Sequence, residues 1–412
     1  MKYGLIGERL GHSFSKEIHA RLADYDYELR EVAREDIDAF FERGDFLGIN
    51  VTIPYKETVI PHLYSIDEAA RRIGAVNTVV NRDGRLYGYN TDFYGLTKLA
   101  EHAGVGIKGK RVAILGTGGT SKTARAVSAA LGAKEILTVS RRSGEGVITY
   151  DELYREHADV DVIINTTPVG MYPNAGCAAI DISKFERLSG VLDAVYNPLS
   201  PRLIVEAKER GIPAEGGLYM LVAQAVRASE IFTGKEYGDG IIDAVYKDIY
   251  LNCECIVLVG MPASGKSSVG KRLCELLGRE LVDTDALIVE EAGISIPEIF
   301  SRYGEEEFRN MESRALRRAA SLKGAVIATG GGAVLKEENV AALRECGRIY
   351  FIDRPLEALV PTDDRPLSRD RASIEALYEK RYPIYKCAAD VHVDGSGTVS
   401  EVADRIIKEL GK

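Results

Sequence analysis

Several absences narrow what this 412-residue chain can be. No stretch reaches the roughly 18 uninterrupted apolar residues of a membrane-spanning helix, so no membrane span is expected. The opening residues, Met1 to Lys16, hold only a short apolar patch broken by Glu8, Arg9 and His12, without the apolar core and small-residue cleavage site of a secretory signal. Cysteine is sparse: six residues, scattered except for Cys253 and Cys255, make no disulfide framework and suit a reducing compartment. These features predict a cytoplasmic protein. No second Cys or His pair stands at metal-ligand spacing to Cys253-Glu-Cys255, which therefore reads as ordinary strand-edge cysteine. A basic excess is also missing. With 62 acidic against 53 basic side chains the formal charge is -9, which argues against a nucleic-acid partner and leaves small anionic substrates open through local Arg and Lys.

What is present is the pattern of an α/β protein. Strand-length apolar runs at Arg111–Leu115, Ile136–Val139, Val160–Ile164, Val191–Val195, Ile256–Val259, Ala325–Ala328 and Arg348–Ile352 alternate with helical periodicity, the sequence form of parallel sheets. At roughly 150 residues per domain the length predicts two or three domains. Neither a solenoid-period repeat nor a low-complexity tract divides them, so the boundary must be short, and a polar join around Tyr250–Glu254 marks it.

Two glycine-rich signals carry chemistry. Gly260-Met-Pro-Ala263-Ser264-Gly265-Lys266-Ser267 follows a strand and precedes Val269, Leu273, Leu276 and Leu277 at helix spacing, the full context of a phosphate-binding P-loop. Backbone N–H groups of such a loop, continuing to Ser268, curl around the β-phosphate of ATP; Lys266 reaches the β/γ oxygens and Ser267 ligates Mg2+. Earlier, Arg111-Val-Ala-Ile-Leu-Gly116-Thr-Gly118-Gly119 runs from strand through glycine turn into a helix whose Ala124, Val127 and Leu131 share a face, with Ser121 where a third glycine is usual. The next strand ends Ser140-Arg141-Arg142, lacking the carboxylate that bonds a ribose 2′-hydroxyl and offering guanidinium groups suited to a 2′-phosphate, so the expected dinucleotide is NADP(H).

From about residue 254 to the end, the chain resembles shikimate kinase in Leu281-Val-Asp283-Thr-Asp285, Gly304-Glu-Glu-Glu-Phe308-Arg309-Asn-Met-Glu312, Thr329-Gly330-Gly331-Gly332, Asp364-Arg365-Pro366-Leu367 and Arg381-Tyr-Pro-Ile-Tyr385. The resemblance implies that Asp283 helps hold Mg2+ and that Asp285 binds and deprotonates the attacking hydroxyl. Arg309 and Arg381 would clamp a carboxylate, Gly331 and Gly332 line the substrate, and Arg365 reach the moving phosphoryl group. A bidentate guanidinium suits a carboxylate, and cations stabilise a loose phosphoryl transition state.

Residues 1–248 resemble shikimate dehydrogenase in order and spacing: Gly11-His-Ser13-Phe-Ser15, Gly48-Ile-Asn50-Val-Thr52-Ile-Pro-Tyr-Lys56, Ile73-Gly-Ala-Val-Asn77-Thr78, Gly88-Tyr-Asn90-Thr91-Asp92, Asn165-Thr-Thr-Pro168, Asp193-Ala-Val-Tyr196-Asn197-Pro198 and Gly216-Gly217 through Gln224. Lys16 departs from the family, which often has proline there, and Ser140-Arg141-Arg142 departs from its usual Asn-Arg-Thr. The resemblance implies that Ser13, Ser15, Thr52, Asn77, Asp92 and Gln224 bond the substrate, that Lys56 and Asp92 form the catalytic pair, and that Tyr196 and Gly217 adjoin the cofactor. An ammonium held by a carboxylate can stabilise the charge that grows on a carbonyl oxygen as hydride arrives. Read without the surrounding motifs, Lys56 is an ordinary solvated charge and Asp92 a helix N-cap.

The expected architecture is an α/β substrate domain (1–100, closed by a helix near 226–248), a Rossmann-like NADP domain (101–225), and a P-loop domain like the nucleoside-monophosphate kinases (254–412). The expected partners are small molecules, 3-dehydroshikimate and shikimate, in a monomer or homodimer. Quinate as the dehydrogenase substrate, another hydroxyl compound for the kinase, or one half acting as a silent binding module remain open.

Overall fold

The computed structural model describes residues 1–11, 13–360 and 370–410. It divides into two compact units, Met1–Asn197 with Glu206–Ile249, and Pro198–Val205 with Tyr250–Lys412.

The first unit holds two six-stranded sheets. Strands β1 (Tyr3–Gly7), β2 (Tyr27–Glu31), β3 (Gly48–Val51), β4 (Ser65–Ile66), β5 (Thr78–Arg82) and β6 (Arg85–Tyr89) are ordered β2-β1-β3-β5-β6-β4. β1 pairs parallel with both neighbours, but β5 runs antiparallel to β3 and β6, so this sheet is mixed. The reason is local. Asp83 and Gly84, at φ 53° and 79°, form a two-residue turn that can only return the chain antiparallel. That hairpin sets the residue before β5, Asn77, beside the segment after β6, Asn90–Asp92, because Thr78 and Tyr89 are register partners.

Strands β7 (Arg111–Leu115), β8 (Glu135–Ser140), β9 (Val147–Thr149), β10 (Val162–Asn165), β11 (Gly190–Asp193) and β12 (Ala214–Glu215) form an all-parallel sheet ordered β12-β11-β10-β7-β8-β9. Its order reverses between β7 and β10, the crevice where open α/β sheets bind ligands. Val112, Ile114, Val162, Ile164 and Leu192 are fully buried, as near-continuous apolar runs with helices on both faces require. The helices Asp92–His102 and Leu218–Thr233 pack together at Gly95, where an added Cβ would sit 2.7 Å from the Met220 carbonyl oxygen. The single closing helix expected near 226–248 is instead two, Leu218–Thr233 and Ile241–Cys253, because Gly234 ends the first in the left-handed region.

The second unit is built on β13 (Cys255–Val259), β14 (Leu281–Asp283), β15 (Val326–Ala328), β16 (Gly347–Asp353) and β17 (Val391–Asp394), all parallel and ordered β14-β15-β13-β16-β17. Val257, Ile327, Ile349 and Phe351 centre its core. The polar join at Tyr250–Glu254 is no exposed linker: helix continues to Cys253, and Glu254 is 1% exposed, bound by Arg348 at 2.8 and 3.2 Å. Cys255 is not a strand-edge residue either, for it opens the central strand and is buried. On the helix Lys266–Leu277, Val269 and Leu273 face the core while Leu276 is exposed.

Candidate functional site

In the first unit the loops at the strand ends enclose a cleft of about 510 Å³. Its lining includes Ser13, Ser15, Thr52, Lys56, Asn77, Asp92, Tyr196, Gly217 and Gln224. Lys56 Nζ donates to Asp92 Oδ2 at 2.6 Å, with the two side chains only 16% and 10% exposed. Asp92 opens the helix Asp92–His102 as its first residue, while Asn90 Oδ1 accepts from Phe93 N at 3.2 Å; the capping role belongs to the neighbour, which leaves Asp92 for Lys56. Buried amides fix the wall behind them. Asn77 Nδ2 donates to Thr91 Oγ1 (3.0 Å), Thr91 N donates to Asn77 Oδ1 (2.7 Å), and the Thr91 hydroxyl donates to Gln224 Oε1 (3.3 Å). Ser13 Oγ donates to Ser15 Oγ at 3.0 Å, a small cluster of adaptable hydroxyls in the same lining.

The glycine turn after β7 adjoins this cleft. Gly116 has φ +108°, and a Cβ there would come within 2.9 Å of Thr166 Oγ1. Gly118 has open space around its missing Cβ, and the helix Gly119–Ala130 starts immediately after it. This is a cradle fit for a pyrophosphate, with backbone N–H groups and the positive helix end facing outward. A Cβ on Gly119 would lie 3.8 Å from Lys56 Cδ, so the turn and the lysine are neighbours. Ser140 ends β8 and Arg141 and Arg142 follow it beside the turn, since Gly116 N donates to Val139 O at 2.8 Å; both arginines are exposed and outside the cleft lining.

Asp193, at the end of β11, is 1% exposed and accepts from Asn165 Nδ2 (3.0 and 3.1 Å) and Val195 N (2.9 Å). Burial pushes its carboxyl up to about 7, against the pull of those donors.

In the second unit Ala263 (φ +64°) and Gly265 (φ +91°) turn the loop that joins β13 to its helix, and Gly260 lies so close to β16 that a Cβ would sit 2.9 Å from Ile352 O. Lys266 Nζ donates to the carbonyls of Gly260 and Met261, both at 2.9 Å, and reaches Ser264 Oγ at 3.5 Å. Ser267 Oγ donates to Asp283 Oδ2 at 2.8 Å, bringing a hydroxyl and a carboxylate together as a divalent-cation site needs. Ser268 is exposed one residue further along.

Beside the loop, Arg309 donates to Glu312 Oε2 (2.8 Å) and Glu305 Oε1 (3.0 Å). Burial opposes the guanidinium's charge, but the two carboxylates outweigh it and its pKa is raised. Burial also raises the Glu312 carboxyl, with Asp285 adding to the effect and Arg309 and Arg381 opposing it. Arg381 Nη1 and the Tyr385 hydroxyl both donate to Gly331 O, the former at 2.9 Å. A Cβ on Gly332 would overlap the Arg309 guanidinium, one on Gly331 would meet Pro262 at 3.1 Å, and one on Gly330 would meet Asp285 Oδ1 at 2.5 Å. The glycine run is therefore the space in which these charged groups converge.

Residues 5–79 match the family model of the shikimate dehydrogenase substrate binding domain, and residues 262–411 match that of shikimate kinase. Over 265 residues the chain is 38% identical to the NADP(+) shikimate dehydrogenase of Clostridium perfringens, covering 60% of this chain and 97% of that one. The chain belongs to the shikimate dehydrogenase family. Among solved structures it is similar to shikimate dehydrogenase 1 of Peptoclostridium difficile (35% identical, TM-score 0.56, covering 60% of this chain and 97% of that one). It is also similar to a chorismate mutase/shikimate 5-dehydrogenase fusion protein from Clostridium acetobutylicum (37%, TM-score 0.57, covering 60% and 96%). A shikimate dehydrogenase domain and a shikimate kinase domain thus share one chain.

Within the dehydrogenase domain every expected substrate-side residue reaches one cleft; Ser140, Arg141 and Arg142 stand apart from it. In the kinase domain Asp283 meets Ser267, while Asp285, Arg309, Arg381, Gly331 and Gly332 gather beside Glu312. Arg365 lies outside the described residues. Sequence reasoning gave no role to Thr91, which joins Asn77 to Gln224, nor to Glu312, which holds Arg309, although both stand inside motifs it quoted. The Asn165–Asp193 pair is the third omission; two polar residues ending adjacent buried strands was the available signal.

Proposed function

We propose that the first unit reduces 3-dehydroshikimate to shikimate with NADPH and that the second phosphorylates the shikimate 3-hydroxyl with ATP and Mg2+. The observation that carries the first assignment is the 2.6 Å Lys56–Asp92 pair in a cleft walled by neutral hydroxyl and amide donors beside a glycine turn. Bound NADPH supplies the hydride. Asp92 holds the Lys56 ammonium toward the ketone, where it stabilises the growing negative charge and gives a proton to that oxygen. Ser13, Ser15, Thr52, Asn77 and Gln224 orient the ring acid; Tyr196 and Gly217 border the nicotinamide side, and Arg141 and Arg142 with Ser140 take the 2′-phosphate.

In the second unit, Gly260 to Ser268 cradle the triphosphate, and Lys266 exchanges its loop carbonyls for phosphate oxygens. Ser267 and Asp283 would hold Mg2+, which neutralises charge between the phosphates when bound. Asp285 accepts the proton of the attacking hydroxyl, Arg309 and Arg381 bind the carboxylate, and Arg365 is given the transferring group by the family resemblance alone. The division this reading assumes is 1–100 with 226–248, 101–225, and 254–412. Free cysteines at all six positions and the lack, among the described residues, of a helix long and apolar enough to cross a membrane support a cytoplasmic enzyme.

One assay tests both halves. Purified full-length protein is given 3-dehydroshikimate and NADPH, with or without ATP and Mg2+, while NADPH oxidation is followed and products are weighed by mass spectrometry. Shikimate without ATP and its 3-phosphate with ATP are expected. NADPH oxidation without a phosphate ester would refute the kinase assignment, and no oxidation would refute the dehydrogenase assignment.

A further inference from the structure

Among the described residues, Arg354 is a cation beside the phosphate loop to which the proposed kinase chemistry gives no task. It follows β16 directly, is half-buried, and has no hydrogen-bond or ion-pair partner among the described residues. Its Nε is fully shielded from water with nothing to donate to. Neighbouring carboxylates are engaged elsewhere: Asp353 accepts from the Tyr382 hydroxyl at 2.9 Å, and Asp394 from Ser396 N at 2.9 Å with Arg405 at 3.7 Å. A shielded guanidinium N–H with nothing to donate to is costly, and a ligand that accepts from it would offset the cost.

Its position says which ligand. Arg354 Nη1 stands 3.8 Å from where a Cβ of Gly265 would be, so it faces the phosphate loop itself. Gly395, after β17, comes so close that a Cβ would meet Arg354 N at 3.0 Å, and its own N donates to Asp353 O at 2.9 Å. The sheet order gives direction. β14 and β15, carrying Asp283, Asp285 and the glycine run, lie on one side of β13, and β16 and β17, carrying Arg354 and Gly395, lie on the other. A triphosphate seated on the loop with its reacting end toward Asp285 must extend its α-phosphate and nucleoside toward Arg354.

We propose that Arg354 is a nucleotide-binding residue whose guanidinium contacts the α-phosphate and nucleoside end of ATP. The proposal rests on the kinase reading of the second unit. Full-length wild type, Arg354→Ala and Arg354→Lys are compared by calorimetric titration with ADP, which keeps the α-phosphate and nucleoside but lacks the transferred group, and by kinase kinetics. Arg354→Ala should weaken ADP binding and raise KM for ATP about tenfold, as expected for losing a charge-assisted contact. KM for shikimate and kcat at saturating ATP should stay within about twofold, and lysine should restore part of the ADP affinity. A merely structural arginine would instead shift both KM values together and lower the thermal midpoint, and that result would overturn the proposal. So would unchanged ADP affinity in Arg354→Ala. Wild type that fails to bind ADP would sink the kinase reading and this contact together, whereas wild type that binds with an unaffected alanine variant would sink this contact alone.

Discussion

Replacing Lys56 by methionine preserves most of the side chain's length while deleting its charge, and the surroundings make the consequence calculable. The ammonium sits 2.6 Å from Asp92 Oδ2, and neither side chain is more than 16% exposed, so water cannot readily take its place. A positioned acid contributes a factor of roughly 10² to 10⁴, which corresponds to about 3 to 5.5 kcal/mol of barrier. Lys56→Met should therefore lower dehydrogenase kcat by that factor with KM for NADPH changed little, because the charge acts where the transition state differs from the ground state. Asp92→Asn should cost a comparable factor by releasing the ammonium, and the double variant should cost scarcely more than Lys56→Met alone, because the two act as a unit. NADPH absorbance measures the first activity, and kinase turnover in the same preparation reports that the second unit is intact. A Lys56→Met kcat within tenfold of wild type, or a double variant whose loss equals the product of the single losses, would refute the argument.

Gly332→Ala would drive a methyl group into the Arg309 guanidinium; KM for shikimate in the kinase reaction should rise about tenfold, in line with the roughly 1 to 3 kcal/mol of overpacking, while KM for ATP holds, and an unchanged shikimate KM would show that Arg309 can simply step aside. Glu312→Gln should destabilise the kinase domain by about 3 kcal/mol in denaturant unfolding, because it breaks a pair whose carboxylate is 1% exposed, whereas Glu305→Gln, on the exposed partner, should change stability by less than about 1 kcal/mol. Asp193 holds a proton in the folded protein up to about pH 7 that the unfolded chain releases above 3.8. Its contribution is thus complete below pH 3.8 and is lost as pH rises through 7, at about 1.4 kcal/mol per unit; hydrogen exchange of β10 and β11 amides should show this slope in wild type and not in Asp193→Asn.

The strands legible in the sequence were those of parallel sheets. Arg111–Leu115 is one strand as read, and Arg348–Ile352 lies inside Gly347–Asp353, because a strand buried on both faces must be an apolar run. The first sheet was not read strand by strand: β2 is buried only at Tyr27, and β4 is two residues long, so neither carries a periodic signal. The P-loop was legible because its glycines and lysine are needed at fixed spacing within eight residues. Thr91 and Glu312 were not, since their work is to hold other side chains, and nothing in a one-dimensional order says that Thr91 faces Gln224 across 133 positions. The helix after the loop was legible from Val269, Leu273, Leu276 and Leu277, although Leu276 itself meets solvent, because the other apolar residues suffice to bury the helix face.

The two domains solve one recognition problem by opposite means, and the chemistry of each reaction explains the choice. Both must hold a small ring acid with a carboxylate and hydroxyls. In the dehydrogenase cleft the holding groups are neutral, and of the two cations lining it, Lys56 is tied to Asp92 while Arg9 is exposed. On the proposed reading, a guanidinium added to that cleft would be a further positive charge in the space where the Lys56 ammonium acts. Neutral hydroxyls and amides would hold an acid there without adding charge. The kinase has no such constraint, because its transition state is anionic and gains from every nearby cation. Arg309 and Arg381 can therefore be guanidinium groups, but a free pair would repel and wander. Glu312, fully buried, accepts from one arm of Arg309 and the more exposed Glu305 from the other, and on the proposed reading a carboxylate ligand of the same geometry would take the place of Glu305. The acidic residues around this basic site are thus what keep it open in the right shape, and the overall charge of -9 is compatible with anionic substrates in both halves.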